Sequence, residues 1–364
     1  MRILNVLIVG VACLCLPGSL LAMEKDQIAT AYKEAETLRK TAKTDADLMR
    51  ALEIQQNLYD KGNRASLLRV AQLQMKLNQQ EASFESFKSA SENGSAYAQL
   101  LNATHHARGD FGDLSDPDQG MNALKTMAAA PDGAKAQLAL AELYDVGIGG
   151  DKSQANAIFA SLAAEGNPRA ASIVLKKHEK SSTRIRAADV NAIVSSLEPQ
   201  LEEGNRQAAS VLARAYVRLP RYIPNARARH QDLVNSHLDL LPASKQPAEL
   251  VSAGYNYRDH SGSARSLSTQ LEPVDGEAFV QAAMRMRGIE KTAFVYLVQK
   301  ELTALDAFSG RANGKLTDRT IRSIFAFCRE NGFFDTCKHG PINYDSSLLI
   351  ARAIGAEKQK RLSQ

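Results

Sequence analysis

Apolar residues recur three and four positions apart in a series of segments, and a short glycine-containing turn separates each segment from the next. Segments before the turns include MRALEIQQNLYDK, ANAIFASLAAE and VSSLEPQLEE, and segments after them include ASLLRVAQLQMKL, AKAQLALAELYDV and QAASVLARAYVRL. This spacing places the apolar residues on one face of an α-helix. The pattern therefore predicts pairs of amphipathic helices joined by tight turns.

The glycines of these turns lie 32 to 39 residues apart, a period that suits a unit of two helices and two turns. A glycine that ends a helix adopts the left-handed conformation that other residues resist, and an asparagine directly after it can cap the next helix. The pattern predicts left-handed caps at Gly62, Gly94, Gly133, Gly166 and Gly204, and N-caps at Asn63, Asn167 and Asn205.

Small residues in two of the helices that follow the turns indicate close packing between neighbouring helices. They are Ala170 and Ala171 in one helix, and Ala208 and Ala209 in another. A single helix pair cannot bury its apolar face alone, so the pairs must stack. We therefore predict an all-α fold, a right-handed α-solenoid of helix pairs over residues 23–260, followed by a small helical C-terminal module.

One unit of the repeat is written in full as AQLALAELYDVGIGGDKSQANAIFASLAAEGNPRA. Its LxxLYxxGxG stretch, the following Ala155 and Phe159, and the closing AAEG resemble the SEL-like repeat, a relative of the tetratricopeptide repeat. The resemblance covers residues 45–220, although the other units keep only the glycine turn. It implies a helical solenoid that acts as a scaffold, and in bacteria many such proteins are periplasmic.

The N-terminal stretch MRILNVLIVGVACLCLPGSLLAMEK has the features of a secretory signal peptide. Arg2 precedes an apolar run over residues 3–16, Pro17 and Gly18 break the run, and Ala22 offers a small residue for cleavage. The run is too short for a membrane span. We expect residues 1–22 to be removed and the mature chain to be periplasmic. The alternative is a lipid anchor, because GVAC at Cys13 is similar to a loose lipobox.

Arginines concentrate in the region that begins near residue 214, where prolines make the helical pattern less regular. Tyr216 and Tyr222 accompany them. One interpretation is a basic groove with aromatic edges that binds an anionic polymer or a partner. The other is an ordinary solvated helix face, which needs no ligand. The arginines of this series are Arg214, Arg218, Arg221, Arg227 and Arg229.

Residues 261–278, SGSARSLSTQLEPVDGEA, are rich in Ser and Gly and predict a linker. Residues 279–345 then resemble the small three-helix peptidoglycan-binding module, through VQKEL, Leu305, Phe308, SGRANGKLT and the TxxxxxxF run that ends at Phe327. The resemblance implies a helical module with Leu302, Leu305, Ile321, Ile324 and Phe327 inward. Residues 346–364 predict a C-terminal helix or tail.

The loop SGRANGKLT would carry any glycan contact of this module. Asn313 stands where the module usually has Asp, Thr317 replaces a Gly, and Cys328 replaces the final Gln. The helical core positions match better than the loop does. Two interpretations therefore remain: a module that binds peptidoglycan, and a module that keeps the fold without binding it. The candidate contact residues are Ser309, Arg311, Asn313 and Thr317.

Two cysteines remain after the signal peptide, Cys328 and Cys337. Two cysteines in an exported chain usually pair, and the short intervening loop contains Gly332. We predict a disulfide between them. A metal site would need further ligands, and only His339 lies near in the sequence.

Composition and motifs restrict the classes of function. Apolar residues make up 44% of the chain, which favours a folded protein, and a net charge of +5 without a basic tract argues against nucleic-acid binding. The sequence contains no HExxH or GxSxG motif. The adjacent His105 and His106 point to different helix faces, and the glycines of residues 147–150 fit a turn between repeat helices. We predict no enzymatic activity, no cofactor and no metal.

These features together predict a non-enzymatic periplasmic scaffold of an envelope assembly. The stretch from LARAYVRLP to NYRDHSG is similar in rhythm to the family of alginate-export scaffold lipoproteins, which implies a role in exopolysaccharide production or export. The partners would be an outer-membrane porin or polysaccharide machinery, with an anionic polysaccharide or peptidoglycan as a further ligand. The alternatives are a cell-wall protein that recruits an envelope enzyme and a periplasmic regulator of a sensor kinase.

Overall fold

A computed structural model describes residues 17–180 and 186–363 of the chain. Nineteen α-helices and two 3₁₀ turns make up the regular secondary structure of these residues, and no strand occurs among them. The all-α fold built from consecutive helix pairs is confirmed. Cys13 and the apolar run over residues 3–16, which carry the signal-peptide and lipobox predictions, lie outside the described residues.

The chain divides into two compact units, residues 1–158 and residues 159–364. In the first unit each helix from α1 to α6 packs on the next one along the chain. The helices are α1 (Pro17–Thr41), α2 (Asp45–Asp60), α3 (Arg64–Lys76), α4 (Gln80–Glu92), α5 (Ala96–Arg108), α6 (Pro117–Ala128) and α7 (Ala134–Asp145). The next helix, α8 (Lys152–Ala164), contains the boundary between the units.

Side-chain caps fix where several of these helices begin. Thr44 and Asp47 form a reciprocal capping box at the start of α2. Ser95 accepts a hydrogen bond from the Ala98 amide at the start of α5, and Asp116 accepts one from the Gln119 amide at the start of α6. Each cap satisfies a backbone donor that the helix itself leaves unpaired.

The second unit begins with regular pairing and then interleaves its helices. Its α11 packs on α9, α10 and α12, whereas further along α13 packs on α15 and α14 packs on α16. The helices are α9 (Pro168–Lys180), α10 (Ala187–Glu202), α11 (Arg206–Arg218), α12 (Ala226–His237), α13 (Gln246–Gly254), α14 (His260–Gln270), α15 (Gly276–Ile289), α16 (Lys291–Ala304), α17 (Asp318–Glu330), α18 (Phe334–Cys337) and α19 (Tyr344–Leu362).

The prediction of a linker over residues 261–278 is wrong. This segment forms most of α14 and the start of α15, and Asp259 caps α14 by accepting a hydrogen bond from the Gly262 amide at 2.8 Å. Ala264, Leu267 and Leu271 are three and four residues apart and are buried in the core of the unit. Their helical spacing outweighs the Ser and Gly content, because burial of an apolar face stabilises a helix of modest propensity.

The predicted caps are only partly present. Gly62, Gly94, Gly166 and Gly204 have φ between 81° and 90°, in the left-handed region. Gly133 is not left-handed: it is the N-cap of α7 and has φ −71°. A Cβ at Gly133 would lie 2.6 Å from the carbonyl oxygens of Ala128 and Met127, so glycine is needed there for close backbone approach. Asn167 and Asn205 cap their helices through Oδ1, whereas Asn63 makes no such hydrogen bond.

One hydrophobic core joins α13 to α19. It contains Leu302, Ile324 and Phe327, while Leu305 is only partly buried and packs against it. Ile321 is half-buried and does not belong to this core. The last helix, α19, packs on α15, and its residues Ile350, Ala351 and Ile354 are buried in the same core. Residues 346–364, predicted as a C-terminal helix or tail, therefore lie largely in a helix that is part of the folded unit. Cys328 and Cys337 are joined by a disulfide.

Candidate functional site

The second unit contains a groove with a volume of about 890 Å³. Residues of α9, α11, α12, α13 and α15 line it, together with loop residues and the first residue of α19. The groove has six basic side chains, Lys176, Arg214, Arg218, Arg227, Lys245 and Arg285, and two acidic ones, Glu179 and Glu249. The excess of four positive charges compares with a net charge of +5 for the whole chain.

The amphipathic pattern of α11 places two arginines on one wall of the groove. Ala208, Leu212 and Ala215 of this helix are buried, so the opposite face is exposed. Arg214 and Arg218 lie four residues apart on that face and therefore point the same way. Arg214 makes a bidentate ion pair with Glu179 of α9, with N–O distances of 2.6 and 2.7 Å.

A buried network lies at the base of the groove. Nε2 of His230 in α12 is 2.9 Å from Oε2 of Glu249 in α13, and Oε1 of Glu249 accepts a hydrogen bond from Arg285 of α15 at 3.3 Å. His230 and Glu249 are both buried. Glu249 thus links the His230 and Arg285 side chains and fixes the position of each.

Arg285 has an environment that is rich in positive charge. Burial lowers the pKa of its guanidinium; Glu249 opposes this effect, and the charges of Arg218 and Arg214 lower the pKa further. An arginine starts from so high a pKa that it stays protonated near neutrality. Arg285 is therefore a desolvated cation with incomplete compensation, and an anion beside it would be stabilised.

Tyrosines form the aromatic part of the groove. The guanidinium of Arg227 lies 5.0 Å from the ring centroid of Tyr257 and donates a hydrogen bond to the Tyr255 carbonyl oxygen. Tyr257 as a whole remains 54% exposed, and Tyr344 is 60% exposed. Burial raises the pKa of Tyr255 to about 12, with Glu290 and Tyr257 adding to the effect. The two exposed rings are available to a ligand.

The structure brings three of the five predicted arginines into the groove, namely Arg214, Arg218 and Arg227. Arg221 and Arg229 do not line it. Arg221 stacks on Tyr222 with its guanidinium 4.7 Å from the ring centroid. Arg229 pairs with Glu198 and lies 5.5 Å from the ring centroid of Tyr216. Burial raises the pKa of Tyr216, and hydrogen bonding to Glu198 adds to the effect.

Sequence reasoning missed Lys176, Lys245 and Arg285. They lie outside the arginine-rich stretch, in α9, before α13 and in α15. Their helical context gives no local signal, because a basic residue on an exposed helix face is common. Only the packing of α9 and α15 against the intervening helices places them beside Arg214 and Arg218.

The loop of the C-terminal module is held by a buried glutamine. Gln299 accepts hydrogen bonds from the amides of Asn313 and Gly314 at 2.8 and 2.9 Å, and donates to the Lys315 carbonyl and to Oγ1 of Thr320. The candidate contact residues Ser309, Arg311, Asn313 and Thr317 are exposed, and Thr317 caps α17. None of these four residues lines the groove.

The adjacent histidines of α5 have separate partners. Nδ1 of His105 is 2.7 Å from Oδ2 of Asp110, and Nδ1 of His106 accepts a hydrogen bond from the Asp116 amide. Burial lowers the pKa of His106. Across residues 17–180 and 186–363, no group of three or more His, Cys, Asp or Glu side chains has an arrangement that could hold a metal ion. In the same part of the chain no helix is long and apolar enough to cross a membrane.

The chain matches no model of a known protein family, and no curated protein is significantly similar to it in sequence. The likeness to SEL-like repeats and to the peptidoglycan-binding module therefore remains a prediction from the motifs.

Proposed function

We propose that this protein is a non-enzymatic helical-repeat scaffold of the bacterial envelope that takes part in exopolysaccharide assembly or export. The observation that carries the proposal is the basic, tyrosine-edged groove built from side chains of five packed helices. A surface contributed by several stacked helices is the usual binding face of helical-repeat proteins. An outer-membrane porin or a component of the polysaccharide machinery is the expected partner.

The chemistry of the groove favours binding over catalysis. Most charged side chains of the groove are arginine and lysine, which bind anions but rarely exchange protons near neutrality. His230 is the group best suited to proton transfer, but it is 3% exposed and Glu249 engages its Nε2. A general base needs contact with the proton that it removes. The groove therefore suits a ligand that is held unchanged.

Two observations support an extracytoplasmic location. The sequence begins with a stretch that has the features of a signal peptide, and Cys328 and Cys337 form a disulfide. Disulfides persist mainly in oxidising compartments such as the periplasm. Export would place the groove where a secreted polymer passes.

Deletion of the gene in its host tests the proposal. We expect the deletion to lower the yield of secreted acidic polysaccharide, measured by uronic acid assay of the culture medium. The full chain should restore the yield, whereas a chain without residues 1–22 should not.

The second candidate is a cell-wall protein, which is favoured by the ordered loop around Gln299. Unchanged polysaccharide yield in the deletion strain, together with co-sedimentation of the full chain with purified peptidoglycan, would reject the scaffold proposal in favour of this candidate.

A further inference from the structure

We infer that the groove of the second unit binds a segment of a carboxylated polysaccharide, such as a chain of uronic acid residues. The inference rests on the proposed function and specifies the ligand that the groove holds. It depends on three features of the groove: cations without ionic partners, a desolvated arginine at its base and exposed tyrosine rings.

Three of the six basic side chains keep their full charge available. Lys176, Arg218 and Lys245 are exposed and make no side-chain hydrogen bond or ion pair within the described part of the chain. Arg214, in contrast, has an ionic partner, because it makes a bidentate contact with Glu179. The free cations come from α9, from α11 and from the residue before α13. Because they come from separate elements, they suit several anionic groups of one chain better than a single small anion.

Arg285 provides the site of strongest attraction. Its side chain is 23% exposed, and its one carboxylate partner, Glu249, also contacts His230. Arg214 and Arg218 add positive potential at the same place. A planar guanidinium can hold a carboxylate through two parallel hydrogen bonds, and partial burial strengthens such a contact. Arg285 is therefore the residue expected to position one carboxylate of the ligand.

The tyrosines favour a sugar chain over an acidic protein segment. Tyr257 and Tyr344 line the groove and are each more than half exposed, and the guanidinium of Arg227 lies over the Tyr257 ring. An aromatic ring packs well against the apolar C–H face of a sugar and can use its hydroxyl group for hydrogen bonding. The volume of about 890 Å³ lies near the upper end of the range for ligand pockets, about 300–1,000 Å³, and leaves room for more than one sugar ring.

The test is calorimetric titration of the full mature chain with a polyguluronate octasaccharide. We expect binding that weakens by at least about tenfold when salt rises from roughly 50 to 200 mM, because several cations release counterions on binding. The carboxyl-reduced form of the same oligosaccharide should bind at least about tenfold more weakly, since it keeps the sugar rings but lacks the charge.

Substitutions separate the groove from general basic charge. Arg285→Gln should weaken binding about tenfold because it removes a partly buried charge-assisted contact. Arg218→Gln should weaken it about threefold, as expected for an exposed cation. Arg221→Gln is the matched control: it removes an exposed arginine of the same stretch that does not line the groove, so affinity should not change. Circular dichroism would verify the fold of each variant.

Three outcomes would overturn the inference. Equal affinity for polyglutamate would indicate an acidic protein segment as the occupant. An equal loss of affinity in all three variants would indicate nonspecific attraction to basic charge. Absence of binding at low salt would exclude this ligand. None of these outcomes depends on the deletion phenotype. If the protein is a scaffold that binds only other proteins, the deletion strain should still secrete less polysaccharide, but the purified chain should not bind the octasaccharide.

Discussion

At the scale of single residues, Lys358 of α19 illustrates how a charge is kept inside the second unit. Its side chain is 5% exposed, and its Nζ lies 3.1 and 3.3 Å from the two carboxylate oxygens of Glu301 and 3.0 Å from the Glu272 carbonyl oxygen. An ammonium group has three donors, and three acceptors surround this one. Glu301 is equally buried, and its other cationic neighbour, Arg361, is partly exposed and 3.8 Å away, so Lys358 is its main partner.

Replacement of this lysine should therefore destabilise the protein. Lys358→Met is expected to lower the free energy of unfolding by about 3 kcal/mol, because it leaves the Glu301 carboxylate buried without its main partner. Urea denaturation of the full chain, followed by circular dichroism, would measure the change. The control is Lys360→Met, which removes an exposed pair with Glu357 in the same helix and should change stability by less than about 0.5 kcal/mol. Equal effects of the two changes would contradict the role assigned to burial.

At the scale of elements, the disulfide ties the end of α17 to α18. Cys328 and Cys337 are fully buried and nine residues apart. Gly332 has φ 78° in the turn between them, and the Phe333 amide donates a hydrogen bond to the Cys328 carbonyl oxygen. The backbone therefore already turns back towards Cys328 before the covalent bond is considered.

The bond should still contribute measurably to stability. We expect the Cys328→Ser, Cys337→Ser double variant to lose about 2–3 kcal/mol, because the closed loop restricts the unfolded chain. Thermal melting with and without dithiothreitol would measure the effect. The reductant should lower the melting temperature of the natural chain to that of the variant and leave the variant unchanged. A natural chain that melts identically in both conditions would show that the disulfide adds no stability.

At the scale of the whole molecule, charge is distributed unevenly. The groove has an excess of four positive charges in a chain whose net charge is +5, so the remaining residues together carry a net charge of only +1. A local positive field attracts anions without making the whole protein bind every polyanion. This distribution supports the proposed role of the groove as a binding face for an anionic ligand.

Export itself remains a prediction from the first residues of the sequence. We expect the protein in the periplasmic fraction with a mature N-terminus at Met23, because cleavage after Ala22 follows the apolar run. Mass spectrometry of the purified protein would identify the terminus. A chain that begins at a lipid-modified Cys13 would replace the soluble form with an anchored one, and a chain that keeps residues 1–22 would contradict export.

The sequence by itself determined the features that depend on neighbours along the chain. The three-and-four spacing of apolar residues indicated the helix pairs, and Gly62, Gly94, Gly166 and Gly204 have the left-handed backbone expected of them. Such features are local, because helix periodicity and the steric cost of a left-handed residue are set within a few positions. The choice of Cys328 and Cys337 as partners also followed from the sequence, since no other cysteine lies beyond residues 1–22.

Only the tertiary structure decided the features that depend on distant residues. Gly133 is constrained by carbonyl oxygens in the preceding turn, and residues 261–270 are helical because Ala264 and Leu267 reach a core formed with later helices. Arg285 joins Arg214 and Arg218, which lie some 70 residues earlier in the sequence, while Arg221 is left outside the groove. Packing and electrostatic contacts between distant parts of the unit stabilise these arrangements. A local pattern can therefore indicate a basic helix face, but only the packing of the helices assembles the groove.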